Sequence, residues 1–292
     1  MTDSADPRYT VKQVSAITGV LETTLRVWER RYGVVKPERS QGGYRLYTPE
    51  QVERLRRMAA LVEGGMAASL AARTIASGSP PDADDAATLG RLDLVAAAVS
   101  LDPASLDAVL ASAFAAAPLD VVCQAWLMPE LERLGAAWAQ GELTVAHEHF
   151  ASAGVLRALG RRFDEARPTE PGRVLVGLPP GSHHQLGLFA FATCLRQRGV
   201  DVVYLGADVP VADWARAATS LAPRAAVLGV PRASRTPRAQ EVVNRLRAFS
   251  PPILVWVGGG RAGRLPGAAR LPDDVGVAAQ EVAQSLRVRD TG

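Results

Sequence analysis

The chain has 292 residues, of which 48% are hydrophobic and 22% are charged, and its formal net charge is +3. This length suits two or three modules, because each module can then bury its own core. No apolar stretch reaches the roughly 18 residues that a membrane span needs, and the N-terminal segment lacks the apolar core of a signal peptide. These features argue against a membrane or secreted protein, and we expect a cytoplasmic one.

Basic residues are concentrated near the N-terminus. Residues 1–57 hold eleven Lys or Arg residues against seven Asp or Glu residues, a net charge of +4, whereas the rest of the chain sums to −1. The asymmetry favours a polyanionic partner for the N-terminal region. A solvated basic surface would give the same count, so charge alone leaves both interpretations open.

Two short helices joined by a turn are predicted near the N-terminus. The segment Thr10–Gly19 begins with a capping threonine, carries apolar residues at helical spacing and stops at a glycine. The next segment, residues 22–33, places Leu25, Trp28 and Tyr32 on one face and basic side chains elsewhere. This pair is typical of a helix-turn-helix.

A hairpin and a further helix are predicted to follow this pair. A glycine pair precedes the alternating residues 44–47, a pattern typical of a hairpin that would form a wing. A Thr-Pro pair then opens another amphipathic helix. We assign residues 1–77 to a winged-helix domain and the Pro-, Asp- and Ser-rich residues 78–86 to a linker.

The rest of the chain predicts a helical bundle followed by a doubly wound, Rossmann-like α/β domain. Residues 87–167 are helix formers with three breaks, which indicates a four-helix bundle. Residues 168–292 alternate helical segments with short apolar runs, which implies a parallel sheet whose ligands bind at the carboxyl ends of the strands. The predicted strands are Arg173–Gly177, Val202–Leu205, Ala225–Gly229 and Ile253–Val257.

The four histidines fall in two pairs. His147 and His149 lie in the bundle, whereas His183 and His184 lie in the loop after the first predicted strand of the sheet. The second pair is at the expected binding edge, ahead of Gly187, which would permit a ligand to approach closely. A pair of histidines in a surface loop would look the same, so spacing alone leaves the role of this pair open.

Protein-only metal sites and nucleotide binding are not indicated. Cys123 and Cys194 lie far apart in apolar helical patterns, so we expect reduced core thiols rather than a disulfide. Neither cysteine has the spacing to a histidine pair that a zinc site requires. A glycine-rich nucleotide loop is absent after the first predicted strand of the sheet.

A mixed apolar and polar pocket is one interpretation of the end of the bundle. Trp138 precedes the break at Gln140-Gly141, and Glu148 and His149 follow in the next helix. A buried core tryptophan beside a capped helix is the other interpretation. The spacing of these residues does not choose between them.

The N-terminal segment TLRVWERRYGVVKPERSQGGYRLYT, Thr24–Thr48, resembles the helix-turn-helix and wing of the MerR family of transcription regulators. The resemblance implies a double-stranded DNA operator as a partner. It also implies that Thr23 and Arg26 on the second helix face the major groove. Three residues of the wing would grip phosphates: Tyr44, Arg45 and Tyr47.

The C-terminal half is similar to the cobalamin-binding module made of a helical bundle and a Rossmann-like domain. The motifs of that module are an acidic residue, any residue, His, two residues and Gly, then Ser-x-Leu, then Gly-Gly. His184 and Gly187 match the first motif, and Gly258 and Gly259 match the last. The resemblance implies cobalamin as the cofactor, His184 as the lower ligand of its cobalt, and a cofactor tail that runs toward the glycines.

The bundle resembles that of the CarH/LitR group of light-responsive repressors, which use adenosylcobalamin. Trp138 followed by Glu148 and His149 matches their upper-face motif, and Val145 lies within it. The resemblance implies that these residues contact the 5′-deoxyadenosyl group, and that cofactor state sets the homo-oligomeric state, a dimer or a tetramer. Light would act by cleaving the cobalt–carbon bond.

Three positions depart from these motifs. Ser182 stands where the acidic residue is expected, so His184 would lack a charged partner that tunes its basicity. Gly229 replaces the serine of the second motif, and Ala139 stands where light sensors of the group carry a histidine after the tryptophan. We still expect Ser182 and Gly229 to contact the cofactor. The alternative is a MerR-type regulator with a degenerate cobalamin domain that senses another ligand or works without cobalamin.

An enzyme is not expected. A corrinoid methyl-transfer protein would share the cobalamin module, but it has no use for residues 10–76. We therefore expect a DNA-binding transcription regulator, a repressor, without catalytic residues.

Overall fold

The computed structural model describes residues 8–39, 43–63, 68, 71–72, 75, 88–230, 236–259 and 265–288. The chain divides into two compact units, Met1–Ala87 and Thr88–Gly292, each with a hydrophobic core of its own. The predicted linker at residues 78–86 lies outside the described residues. None of the described helices is long and apolar enough to cross a membrane.

The N-terminal unit contains the predicted helix-turn-helix and wing. Thr10 and Gln13 form a capping box at the start of the first helix, and Gly19 ends that helix in a left-handed conformation. The central strand of its sheet pairs antiparallel on both sides, so the wing gains a strand that the sequence did not predict. The elements are β1 (Tyr9–Thr10), α1 (Val11–Thr18), α2 (Glu22–Val27) with a π-helical continuation (Trp28–Tyr32), β2 (Glu38–Arg39), β3 (Arg45–Tyr47) and α3 (Pro49–Glu63).

The predicted four-helix bundle is also present, within residues 88–166, all of which are described. Its third helix runs continuously from Leu119 through a π-helical turn to Ala139. Asp102 caps the second helix with Pro103 in its first turn, Pro118 directly precedes the third helix, and Gln140 ends it, so the three predicted breaks are confirmed. The elements are α4 (Leu94–Ser100), α5 (Pro103–Ala116), α6 (Leu119–Val122), the turn Cys123–Leu127, α7 (Met128–Ala139) and α8 (Val145–Glu165).

A five-stranded parallel sheet follows, in the order β5-β4-β6-β7-β8. This order is that of a doubly wound α/β domain, and the four predicted strands are confirmed. The short β8 was not predicted. The elements are β4 (Arg173–Gly177), α9 (Leu186–Gln197), β5 (Asp201–Gly206), α10 (Val211–Leu221), β6 (Ala225–Gly229), α11 (Thr236–Arg247), β7 (Leu254–Gly258), β8 (Ala269–Arg270) and α12 (Val275–Val288).

The two faces of this sheet are covered by different layers. Successive side chains of a strand point to opposite faces, so Val174 and Val176 of β4 join one core while Leu175 joins the other. The first core contains residues of α9, α12 and the bundle, and the second contains residues of α10 and α11. The bundle therefore packs against one side of the α/β domain within a single core.

The two cysteines are free thiols in this first core, as predicted. Cys123 lies in the π-helical turn of the bundle and Cys194 lies in α9, and the structure brings the two thiols into contact. A hydrogen bond with the Cys194 thiol, together with burial, raises the pKa of Cys123 well above its usual value.

We predict opposite effects of alanine at two glycines of α8. A Cβ at Gly154 would lie 2.5 Å from Cδ2 of Leu106, which is fully buried, whereas a Cβ at Gly160 would meet no atom within 4 Å apart from the adjoining backbone of its own helix. Gly160→Ala should stabilise the fold by about 0.5–1 kcal/mol through helix propensity. Gly154→Ala should instead destabilise it by about 1–3 kcal/mol through overpacking. Urea unfolding measures both, and equal free energies of unfolding would contradict the packing of α8 on α5.

Candidate functional site

The strand order creates a crevice at the carboxyl edge of the sheet. The chain runs from β4 to β5 on one side, whereas β6 lies on the other side of β4, so the loops after β4 and β6 diverge. His183 and His184 lie in the loop after β4, and Gly229 is the last residue of β6. The crevice therefore opens where the sequence predicted a ligand.

A cavity of about 760 Å³ lies at this crevice, between the sheet and the bundle. Its volume is within the range of roughly 300–1,000 Å³ that is usual for small-molecule and cofactor sites. It brings together all but one of the residues predicted to hold the cofactor, and those that line it are Trp138, Val145, Glu148, His149, His184, Gly187, Gly229, Gly258 and Gly259.

The bundle contributes an apolar wall. Trp138 is 49% exposed and Val145 is 54% exposed, which is unusual for large apolar side chains of a folded bundle. They lie on either side of the turn between α7 and α8, in which Gly141 adopts a left-handed conformation. Trp138 is therefore not a core residue, and the interpretation of this region as a pocket is the one that agrees with the structure.

The same wall carries a fixed carboxylate. Glu148 accepts a hydrogen bond from the Ser152 hydroxyl at 2.6 Å, and its other oxygen lies 2.5 Å from Nδ1 of His149. His147 has a different task, because its Nδ1 accepts a hydrogen bond from the backbone N–H of Thr144 and completes the capping box of α8. Of the bundle histidine pair, His149 is the member that lines the cavity.

Glycines form part of the opposite wall. A Cβ at Gly187 would lie 3.2 Å from Cε of Met128, and a Cβ at Gly229 would lie 2.7 Å from Cδ2 of Leu178. The serine that the cobalamin motif has at position 229 would therefore require Leu178 to move. Met128 and Leu178 both line the cavity, and neither belongs to a motif that the sequence could have revealed.

In the loop after β4, two imidazoles are exposed and one hydroxyl is buried. His183 and His184 are both exposed and line the cavity. Ser182 is only 3% exposed and is not among the residues that line the cavity, so its contact with the cofactor stays a prediction. The loop buries its side chain, and its Oγ has no hydrogen-bond partner among the described residues.

The donor set suits a metal that arrives in a macrocycle. Among the residues that the structure describes, no three His, Cys, Asp or Glu side chains come together as a metal site. A metal held by a macrocycle needs only axial ligands from the protein, and one imidazole, such as that of His184, is sufficient. The apolar bundle wall and the glycines leave room for the faces and edge of a large ring.

The N-terminal unit has a groove between its second helix and its wing. This groove, of about 600 Å³, is lined by Thr23, Arg26 and Arg45, as the resemblance implied for DNA contacts. Arg30 and Lys36 also line it, which makes its surface strongly basic. Thr23 and Arg26 are exposed, and Tyr44 at the wing is 75% exposed. A polyanion is the partner that this charge favours.

One of the predicted phosphate contacts is wrong. Tyr47 is 1% exposed and lies in the core of the N-terminal unit, where burial and the neighbouring Glu29 raise its pKa to about 12. Tyr47 lies two residues after Arg45 on β3 and hence on the same face, but its ring packs in the core while its hydroxyl lies 3.4 Å from Oε2 of Glu29. Arg45 lines the groove, and its Nε donates to both carboxylate oxygens of Glu29 at 2.9 and 3.1 Å. It therefore also ties the wing to the second helix.

Three regions of the chain match known protein families. Residues 9–77 match the MerR HTH family of regulatory proteins, and residues 92–162 and 172–285 each match a B12-binding domain. Among solved structures, the monomethylamine corrinoid protein of Methanosarcina barkeri aligns with a TM-score of 0.55 at 18% identity, over 66% of this chain and 97% of that one. That likeness shows a shared fold for the C-terminal unit.

Two relatives match over most of their length. The HTH-type transcriptional repressor CarA of Myxococcus xanthus is 34% identical over 251 residues, which cover 84% of this chain and 85% of CarA. The repressor CarH of the same organism is 32% identical over 271 residues, which cover 88% of this chain and 91% of CarH. The chain thus belongs to the MerR family of helix-turn-helix regulatory proteins, among the members that carry B12-binding domains.

Proposed function

We propose that the protein is a transcriptional repressor that binds a double-stranded DNA operator through its N-terminal unit and is controlled by adenosylcobalamin in the cavity of its C-terminal unit. The observation that carries this proposal is the imidazole of His184, exposed in a large, mainly apolar cavity at the switch point of a B12-binding domain. The names of the two full-length relatives support repression. We further propose a cytoplasmic protein without catalytic residues.

His184 is the residue that we propose as the lower ligand of cobalt. Both histidines of the loop line the cavity, but His184 stands three residues before Gly187 at the start of α9. The absence of a side chain at Gly187 lets a flat ring approach the backbone there. The tail of the cofactor would then run along Gly229, Gly258 and Gly259.

The bundle wall would recognise the adenosyl group. Trp138 and Val145 offer exposed apolar surface, and Glu148 offers a carboxylate that Ser152 holds in place. When bound, adenosylcobalamin supplies a cobalt–carbon bond that visible light cleaves. Ala139 offers no imidazole to cobalt, so His149, or water in its absence, would have to stabilise the illuminated cofactor, and cobalamin would then leave more readily.

Control would act through assembly. The groove of one N-terminal unit offers few phosphate contacts, so one copy of the chain should bind DNA weakly. Bringing two or four copies together raises affinity through effective concentration. We propose that the group bound against Trp138 and Val145 decides how the bundle packs and hence whether the chain forms a dimer or tetramer.

A regulator that works without cobalamin is the second candidate function. The observations that favour it are Leu178 against Gly229, the buried Ser182 and the missing imidazole at Ala139. Each of these weakens one contact that cobalamin motifs supply. A cavity that still carries His184 and the exposed Trp138 favours cobalamin, and the experiments below separate the two candidates.

We predict that two arginines of the N-terminal unit affect DNA binding differently. Arg45→Ala should weaken binding to all sequences and lower the salt slope by about 1, because it removes a phosphate contact and frees the wing from Glu29. Arg26→Ala should cost about 1–3 kcal/mol at the operator and also relax sequence preference. Fluorescence anisotropy across a salt titration measures both.

Arg56→Ala is the matched control, because Arg56 is an exposed arginine of α3 that pairs with Glu53 and does not line the groove. It should bind the operator as the wild type does. An unchanged affinity of Arg45→Ala at every salt concentration would contradict the proposed docking of the wing.

We predict that cobalamin retention depends on His184. His184→Ala should lose the base-off, His-on spectrum and weaken cofactor binding by more than about tenfold, since even indirect partners of a metal ligand are worth about 10–100-fold. His183→Ala should keep the spectrum. Gel filtration with added cofactor in the dark, followed by visible spectroscopy, measures both. Equal retention by His184→Ala and wild type would rule out this ligand.

We predict that adenosylcobalamin in the dark promotes assembly and operator binding, and that green light reverses both. Size-exclusion chromatography with light scattering and gel-shift assays, before and after illumination, measure the two responses. Trp138→Ala should assemble less in the dark, because it removes apolar surface from the adenosyl site. Identical assembly and DNA binding with and without the cofactor, in dark and in light, would favour the cobalamin-independent regulator instead.

A further inference from the structure

The loop that carries His183 and His184 is attached to the loop that follows β5. The two segments, residues 178–185 and 206–209, are joined by four hydrogen bonds, three between backbone groups and one to a side chain. The donors and acceptors are Leu178 N to Gly206 O (2.9 Å), Val209 N to Leu178 O (3.1 Å), Asp208 N to Ser182 O (2.9 Å) and Gly181 N to Asp208 Oδ1 (2.6 Å).

Asp208 supplies two of these four bonds. Its φ is 53°, in the left-handed region that residues other than glycine rarely adopt, although Asp and Asn tolerate it best. In that conformation its backbone N–H reaches Ser182 while its carboxylate reaches the backbone N–H of Gly181. The second bond is short and has a carboxylate oxygen as its acceptor, a type of acceptor that forms strong hydrogen bonds with backbone N–H groups. Asp208 is therefore hydrogen-bonded to the two residues that directly precede the histidines, Gly181 and Ser182.

The other end of the histidine pair is held from the same strand. The Tyr204 hydroxyl of β5 lies 3.4 Å from Oε1 of Gln185, and its ring packs against Phe189 of α9 with 4.6 Å between the ring centres. Burial raises the pKa of Tyr204 far above its usual value, so the hydroxyl keeps its proton and can donate a hydrogen bond to Gln185. The histidine pair thus lies between two anchors on β5 and the loop after it.

The imidazoles themselves have no such anchors. In the part of the chain that the structure describes, neither the His183 ring nor the His184 ring makes a hydrogen bond, and the Ser182 hydroxyl is buried without a partner. A metal-bound histidine usually donates its second ring N–H to a carboxylate or carbonyl that orients it. Here the direction of the His184 ring depends on the backbone of its loop.

We propose that Asp208 is a positioning residue for the ligand histidine. It lies outside the cavity lining and acts through the Gly181 and Ser182 backbone, which it fixes so that His184 points into the cavity. In the cobalamin motif, the acidic residue would stand at position 182 of the same loop. Here the acidic residue is Asp208 of the neighbouring loop, and it acts on the imidazole only through the backbone. The inference rests on the proposed ligation of cobalt by His184.

Two variants separate the hydrogen bond from the backbone conformation. Asp208→Gly keeps the left-handed conformation but removes the acceptor for Gly181, and Asp208→Asn keeps both the conformation and a neutral acceptor. Asp213→Ala is the control, because Asp213 is an acid of the first turn of α10 that pairs only with Arg216 in the described structure. All are made in the full-length chain.

The first readout needs no cofactor. Amide hydrogen exchange of the peptide that covers residues 178–185 should speed up at least about tenfold in Asp208→Gly, because the Gly181 N–H loses its acceptor. Asp208→Asn should lie between that variant and wild type, and Asp213→Ala should match wild type. Unchanged exchange in Asp208→Gly would overturn the proposal whatever the metal ligand is.

The second readout uses cob(II)alamin, whose EPR signal is split by the nitrogen of its axial ligand. Protein labelled with ¹⁵N-histidine changes that splitting only if a histidine is the ligand. Wild type and Asp208→Asn should show the change in full, whereas Asp208→Gly should show it in a smaller fraction of the bound cofactor and bind about 10–100-fold more weakly. Asp213→Ala should match wild type.

The two readouts distinguish two failures. If wild type shows no histidine splitting, the ligation by His184 is wrong and the positioning proposal fails with it. If wild type shows the splitting and Asp208→Gly shows it to the same extent, a histidine ligates cobalt but Asp208 does not position it. An effect of equal size in Asp213→Ala would also overturn the proposal, because it would reflect surface charge rather than the contact with Gly181.

Discussion

The packing of the bundle on one face of the sheet is the interaction on which the cavity depends. Phe163 near the end of α8 packs on Phe189 of α9, with 5.6 Å between ring centres, and Phe189 packs on Tyr204 of β5. These aromatic contacts lie within or against one continuous core that joins both layers. Because α8 is thereby fixed at its carboxyl end, its amino end holds Val145 above the carboxyl edge of the sheet, opposite His184.

The cavity combines an apolar wall with a few polar groups that neighbouring residues hold in position. Ser152 fixes Glu148 on the bundle side, and the loop after β5 grips the backbone beside the histidines on the sheet side. A large ligand would then replace water against Trp138 and Val145, which gains free energy in proportion to the apolar area covered. The polar groups set orientation at little further entropic cost, because they are already held.

The N-terminal unit relies on a comparable internal contact. Arg45 of the wing and Glu29 of the second helix form an ion pair at 2.9 Å that is mostly shielded from solvent, and the Tyr47 hydroxyl lies 3.4 Å from the same carboxylate. Such a shielded pair is screened less by salt than an exposed one. It holds the wing against the helix, so the basic groove that includes Arg26 keeps its shape before DNA arrives.

The sequence by itself determined the helix-turn-helix, the four-helix bundle, the four main strands of the parallel sheet and the loop that carries His184. Caps, proline breaks and alternation act between residues that are close in the chain, so a local pattern records them. It did not predict β1 or β8, since two-residue strands have no periodicity and exist only through their partners. Only the tertiary structure decided which neighbouring side chains face the sites. Ser182 is buried while His184 is exposed, and Tyr47 is buried while Tyr44 is exposed. Which side of a loop or strand meets solvent depends on elements that pack against it from elsewhere in the chain, and no local pattern records them.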